Sequence, residues 1–229
     1  MPDTAQQIAA LNQRISTALE ESISWREIDC VLLRLCEAYP KHDDESQVIA
    51  KVALIGRTYA TGIERAFKGG KKQGDALGKV VKHIHLNGAK LDAIISSVPA
   101  GTNELTENAI RSIVEAHFRF IELLQTCEDC QKTPRSFVSK YLHFHRPNVP
   151  IYDSYAAGII SKLLGKSTQL RMRHEASDYD YARYVEKFWL LQERIFGAGE
   201  RRSVKELDTY ILWEAYESDQ LGVEHTGEA

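Results

Sequence analysis

The chain has 229 residues, 43% apolar and 27% charged, with 29 Lys or Arg against 32 Asp or Glu and a formal charge of −3. That is enough chain for a sizeable core, in proportions ordinary for a soluble globular protein. It excludes a bilayer-spanning chain, because no apolar run approaches the necessary length, and Met1-Pro2-Asp3-Thr4 lacks a secretory pattern, so a cytoplasmic protein without a membrane partner is the expectation.

Ile8, Leu11, Ile15 and Leu19 recur at helical spacing and predict a first amphipathic helix. A second runs from about Trp25 through Ile28, Val31, Leu32, Leu35 and Cys36 and stops before Pro40. Ser46 is placed to cap a third over Gln47–Phe67, which the glycine-rich residues 69–74 break. Leu77–Ile95 reads as one helix with Gly88 as its weak point, and Pro99–Asn103 as a turn. Thr106 or Asn108 opens a long helix to about Thr126, and Lys132-Thr133-Pro134 precedes another through Phe137, Tyr141 and Leu142. Pro147 ends that helix, Pro150 holds the approach extended, and Asp153 or Ser154 caps a helix to about Leu164. Later helices cover about Tyr179–Phe196 and Val204–Leu221, and nothing alternates as a strand does. The expectation is an all-α protein of eight to ten helices, with residues 1–221 forming a single compact domain of two intertwined lobes and 222–229 a flexible tail.

Charge is segregated along the chain. Residues 49–90 hold nine basic residues against two acids, and Gln131–Arg173 hold eight against Asp153 alone. Residues 175–229 reverse the balance, with thirteen acids and six bases. Two basic stretches converging on one groove would hold a polyanion, with Lys68, Lys71, Lys72, Lys132, Lys140 and Arg146 on one positive face. A lone carboxylate in that setting, Asp153, is held charged by its neighbours and suits a general base or the stabilisation of a cation. Tyr141, Phe144, Tyr152 and Tyr155 around it are candidates for stacking on bases. Cys127 and Cys130 have zinc-ligand spacing, but without a second pair the four cysteines read as reduced and partly buried, and no metal or cofactor is expected.

Arg111 and His117 have a spacing that resembles HEPN-type ribonucleases, in which a histidine shuttles a proton and an arginine holds the phosphate. A stronger likeness lies at Arg135–Tyr155. Pro150-Ile151-Tyr152-Asp153 followed by an apolar helix resembles the centre of the helix-hairpin-helix DNA glycosylase superfamily, including the fold of its 8-oxoguanine glycosylases. The resemblance implies an all-helical, two-lobed protein around a DNA-binding cleft, with Asp153 as catalytic aspartate at its mouth. It also implies a lysine nucleophile in bifunctional members: Lys140 is the first candidate and Lys132 the second. The family's glycine-rich hairpin is absent, so the phosphate contact it makes falls to side chains such as Lys132 and Arg135.

The function expected is hydrolysis of the N-glycosidic bond of a modified base in DNA, by a monomer, on an extrahelical nucleotide. The alternatives are a non-enzymatic nucleic-acid-binding helical protein, in which Asp153 is a helix cap, and a ribonuclease using Arg111 and His117.

Overall fold

A computed structural model describes residues 4–67, 76–101, 105–165, 172, 178–196 and 202–224. The described residues form eleven α-helices and no sheet; the one β-bridge joins Phe67 to Cys130. None of the helices is long and apolar enough to cross a membrane. Lys68, Lys71 and Lys72 lie outside the described residues, as do the glycine-rich residues 69–74.

The first helices are α1 (Thr4–Glu21), α2 (Ile23–Ala38) and α3 (Glu45–Thr58). Asp44, not Ser46, caps α3, its carboxylate accepting from Gln47 N at 3.1 Å. The apolar period expected to carry this helix to Phe67 is interrupted after Thr58. Ala60 and Gly62 take positive φ of 47° and 68°, and a single turn, α4 (Ile63–Ala66), follows. The stretch expected as one helix to Ile95 is also two, α5 (Ala76–Leu86) and α6 (Gly88–Ser97). The break sits where the backbone of His42 crosses: a Cβ on Gly88 would lie 2.5 Å from His42 O, which leaves glycine as the residue that fits.

Next come α7 (Glu107–Gln125), α8 (Arg135–His145), α9 (Ser154–Leu164), α10 (Tyr179–Phe196) and α11 (Val204–Glu224). Thr106 caps α7, and Ser203 with Glu206 forms a reciprocal capping box at the start of α11. The helix continues to Glu224, past the tail boundary expected at residue 222.

Contacts fall into two groups. Helices α2–α6 pack among themselves, α9 packs on α10 and α11, and α1 returns to α11 through Arg14–Glu214 at 2.6 Å. Helix α7 touches both groups, through α5 and α6 on one side and α10 on the other, and α8 lies directly against α2, α3 and α7. From Phe137 to His145 every residue of α8 is buried. Phe137, Val138, Tyr141, Leu142 and Phe144 supply apolar surface on more than one face, so the polar residues between them need internal partners. That requirement places a lysine inside the molecule.

Candidate functional site

The link from α8 to α9 is fixed at several points. His143 Nδ1 meets Val149 O at 2.8 Å, Tyr181 donates its hydroxyl to Pro150 O at 3.0 Å, and Tyr152 N donates to Ser139 Oγ at 3.0 Å. Asp153 follows as N-cap of α9, its Oδ1 accepting from Tyr155 N at 2.9 Å. Its other oxygen, Oδ2, stands 3.7 Å from Lys140 Nζ. The two residues, thirteen positions apart in sequence, meet because the link after α8 returns the N-terminus of α9 to the middle of α8, where Lys140 sits.

Lys140 has a side chain 4% exposed against 29% for Asp153. It donates to Ser136 Oγ at 2.8 Å and lies 5.6 Å from the centre of the Tyr59 ring. Burial lowers its pKa, opposed by the charges of Asp153 and Asp208. A second lysine, Lys205 in the first turn of α11, is held by Asp29 Oδ2 at 2.7 Å and Asp208 Oδ2 at 3.4 Å. Burial works against its charge, but the two carboxylates outweigh that and raise its pKa. Burial also raises Asp29 and pushes the fully buried Asp208 up to about 6. The Tyr59 hydroxyl donates to Asp29 Oδ1.

Asp29, Tyr59, Lys140, Asp153 and Lys205 all line one cavity of ≈ 380 Å³, together with Trp25, Trp213 and Tyr216. Its size is that of a small-molecule site, and its walls pair aromatic surface with a few convergent charges. The cavity thus holds an amine of lowered basicity beside a part-exposed carboxylate, the components needed for nucleophilic and general-base chemistry.

A larger cavity of ≈ 580 Å³ is bounded by Cys36, Lys41, Asp92, His145 and Arg146. Asp92 there bonds His42 Nδ1 at 2.7 Å, and His42 Nε2 meets the Tyr141 hydroxyl at 2.8 Å, while His145 Nε2 is left without a partner and burial holds that ring neutral. Arg146 donates to Val98 O and His145 O. Burial pushes the Cys36 thiol up to about 12, which leaves it inert. The smaller cavity is therefore the candidate active site.

Several expectations are corrected. Tyr141 and Phe144 are core residues, 0% and 2% exposed, so neither offers a face to a base. Tyr152 is half-buried under the Arg135 guanidinium and edge-on to Tyr184, whereas Tyr155 is exposed. The described basic residues do not form one positive face. Lys132 is exposed, Lys140 is interior and Arg146 caps the end of α8 beside the larger cavity. Arg135 is engaged by Asp178 and, at 3.1 Å, by Asp180. Arg111 and His117 are not paired: Arg111 binds Glu107 on the surface at 2.7 Å, while His117 is fully buried and stacked on Tyr181 at 3.6 Å. Burial drops the His117 pKa to about 3, which removes it as a proton shuttle. Cys127 and Cys130 are free and half-buried, and among the described residues no group of three metal-ligating side chains converges.

Sequence reasoning missed Asp29, Tyr59, Lys205 and Asp208. A signal existed for two of them. Asp29 falls on the stripe of α2 that carries Leu32 and Cys36, and Asp208 sits among Val204, Leu207 and Ile211. A carboxylate on an apolar stripe demands an internal cation.

The family model HI_0787_N, described as an N-terminal domain, matches residues 4–149. The chain belongs to this family. No curated protein and no solved structure matches the chain. The HI_0787_N span runs from α1 through α8, so it contains Lys140 and Asp29 and stops short of Asp153, Lys205 and Asp208.

Proposed function

We propose that this protein is a DNA glycosylase-like enzyme that takes a modified base, extruded from the duplex, into the cavity of Lys140 and Asp153. The observation that carries the reading is the buried Lys140 Nζ held 3.7 Å from the part-exposed Asp153 carboxylate on an aromatic-lined cavity. The sequence likeness of Pro150–Asp153 to helix-hairpin-helix glycosylases supports it. In this reading the Lys140 amine attacks C1′ of the extruded nucleotide, and the electron pair of the glycosidic bond leaves with the base. Asp153 takes the proton lost by the amine and returns it to the departing base. Opening of the sugar ring then gives an imine on Lys140, from which loss of a C2′ proton expels the 3′-phosphate. Trp25 and Tyr216, both exposed at the cavity, supply aromatic faces, and Lys132 is the described cation assigned to a backbone phosphate.

A second reading keeps DNA binding without catalysis, and the bond from Tyr155 N to Asp153 Oδ1 favours it, because that bond gives the carboxylate a structural role. Asp153→Asn separates the two. Asparagine caps a helix as well as aspartate does, so the fold and DNA binding persist, with binding unchanged or slightly tighter. Release of a labelled base, scored over duplexes with oxidised, deaminated, alkylated and hypermodified bases, is expected from the wild type and lost in Asp153→Asn. Binding that falls with salt but no release from any duplex selects the non-enzymatic reading.

A further inference from the structure

Two lysines line one cavity, and they are held differently. Lys205 Nζ is clamped between two carboxylates, Asp29 at 2.7 Å and Asp208 at 3.4 Å. Lys140 Nζ donates to a neutral hydroxyl at 2.8 Å, and its carboxylate neighbour Asp153 stands at 3.7 Å with one oxygen already occupied by Tyr155 N. We propose that Lys205 is a positioning residue for Lys140: it takes up Asp29 and Asp208, and its fixed positive charge leaves Lys140 as the amine that attacks an electrophilic carbon, C1′ of a nucleotide or the carbonyl of a small aldehyde. This rests on the reading of Lys140 as the reactive amine and adds the group that makes it so.

The charges around Lys140 come from every side of the cavity. Asp153 faces it from the start of α9, Asp208 and Lys205 act on it from α11, the Tyr59 ring covers it from the turn after α3, and Asp29 on α2 lines the same cavity against Lys205. Tyr184 on α10 is buried beside Asp208 and Asp153 and stays neutral, its pKa pushed well above the usual value by burial. Burial is the main force removing the proton from Lys140; Asp153 and Asp208 oppose it and Lys205 assists it. Without Lys205, Asp208 would act on the Lys140 ammonium uncompensated and would hold its proton, and Asp29 would be left without its cation. The chemistry needs that proton gone. An unprotonated amine adds to a carbonyl carbon, water leaves and an imine remains, whereas an ammonium has no lone pair to give.

The test needs no DNA. The full-length protein is treated with formaldehyde and borohydride, which supplies the hydride that reduces the imine, over about pH 6 to 10. Methylation of each lysine is then read by peptide mass spectrometry. Lys140 is expected to react at lower pH than exposed Lys132, and Lys205 after both. Asp208→Asn removes a carboxylate that holds the Lys140 proton and should speed Lys140 labelling about threefold or more near pH 7. Lys205→Met should slow it by a similar factor, and Lys205→Arg should restore it. Opposite effects from two residues in direct contact cannot come from a loosened structure. Should Lys205→Met fail to fold, as two unpaired buried carboxylates invite, Asp208→Asn and Lys205→Arg decide the matter. Unchanged or slower Lys140 labelling in Asp208→Asn, or Lys205 reacting before Lys140, overturns the proposal. Labelling as expected in a protein that releases no base removes the glycosylase reading and leaves this one standing.

Discussion

Lys51, Lys140 and Lys205 show three ways of placing an ammonium inside a protein. Lys51, fully buried, donates to Tyr39 O and Lys41 O at 2.9 and 2.8 Å and so closes the end of α2. Lys205 is paired with two carboxylates, and Lys140 with a hydroxyl and a single carboxylate at 3.7 Å. An incompletely paired buried charge costs stability, and sites of chemistry are where that cost is tolerated. Lys140→Met is therefore expected to leave the unfolding free energy unchanged or to raise it by up to about 1 kcal/mol, whereas Lys51→Met should lower it by about 2–3 kcal/mol by orphaning two carbonyls. Denaturant titration of both variants checks this, and an equal loss in the two would make Lys140 a structural ion. At this scale Asp153 was legible in the sequence, because Pro147 and Pro150 announce an extended approach to a capped helix. Asp29, Lys205 and Asp208 were not singled out, because their meaning lies in one another and they come from opposite ends of the chain. Tyr141 and Phe144 were misplaced because the polar residues interleaved on α8 disguise a helix buried on all sides.

The helices themselves were legible wherever burial is one-sided. α1, α2, α7, α9 and α10 follow the apolar spacing within a few residues at their ends. Two expected helices are broken, one by a crossing segment and one by a local turn. The His42 backbone cuts α5 from α6 at Gly88, and the turn at Ala60 and Gly62 cuts α3 from α4. The second break matters for the site, because ending α3 at Thr58 releases Tyr59 to bond Asp29 and cover Lys140. The periodicity through Ile63 gives no hint of it, since Ile63 is buried in the short α4 that follows.

At the scale of the whole molecule, the described residues of the basic and acidic stretches of sequence meet in space. Arg135, from the basic stretch, is neutralised by Asp178 and Asp180 from the acidic one, so sequence blocks were a poor guide to surface patches. A second global property follows from the buried histidines. His117 and His143 are held to about 3 and His42 to about 4, chiefly by burial, and His145 lies well below its usual value for the same reason. For His42, burial and Lys51 outweigh the Asp92 contact at 2.7 Å that favours the charged ring. The unfolded chain takes up these protons near pH 6.5 and the folded protein refuses them, so stability is present above that pH and is lost on acidification at about 1.4 kcal/mol per histidine per unit. Asp208, raised to about 6, and Asp29 have the opposite sign and offset part of the loss between about pH 6 and 4. Cooperative acid unfolding above about pH 4 is the expected result by circular dichroism; a protein still folded at about pH 3 would contradict it.

The most direct test of the central claim is the identity of the residue that borohydride traps on DNA. Wild-type protein is mixed with duplexes carrying modified bases or an abasic site, reduced, digested and sequenced by mass spectrometry. A covalent adduct on Lys140, lost in Lys140→Gln and retained in Lys132→Gln, is the result expected of an amine poised beside Asp153. An adduct on Lys132, or none on any duplex that the protein binds, would contradict it.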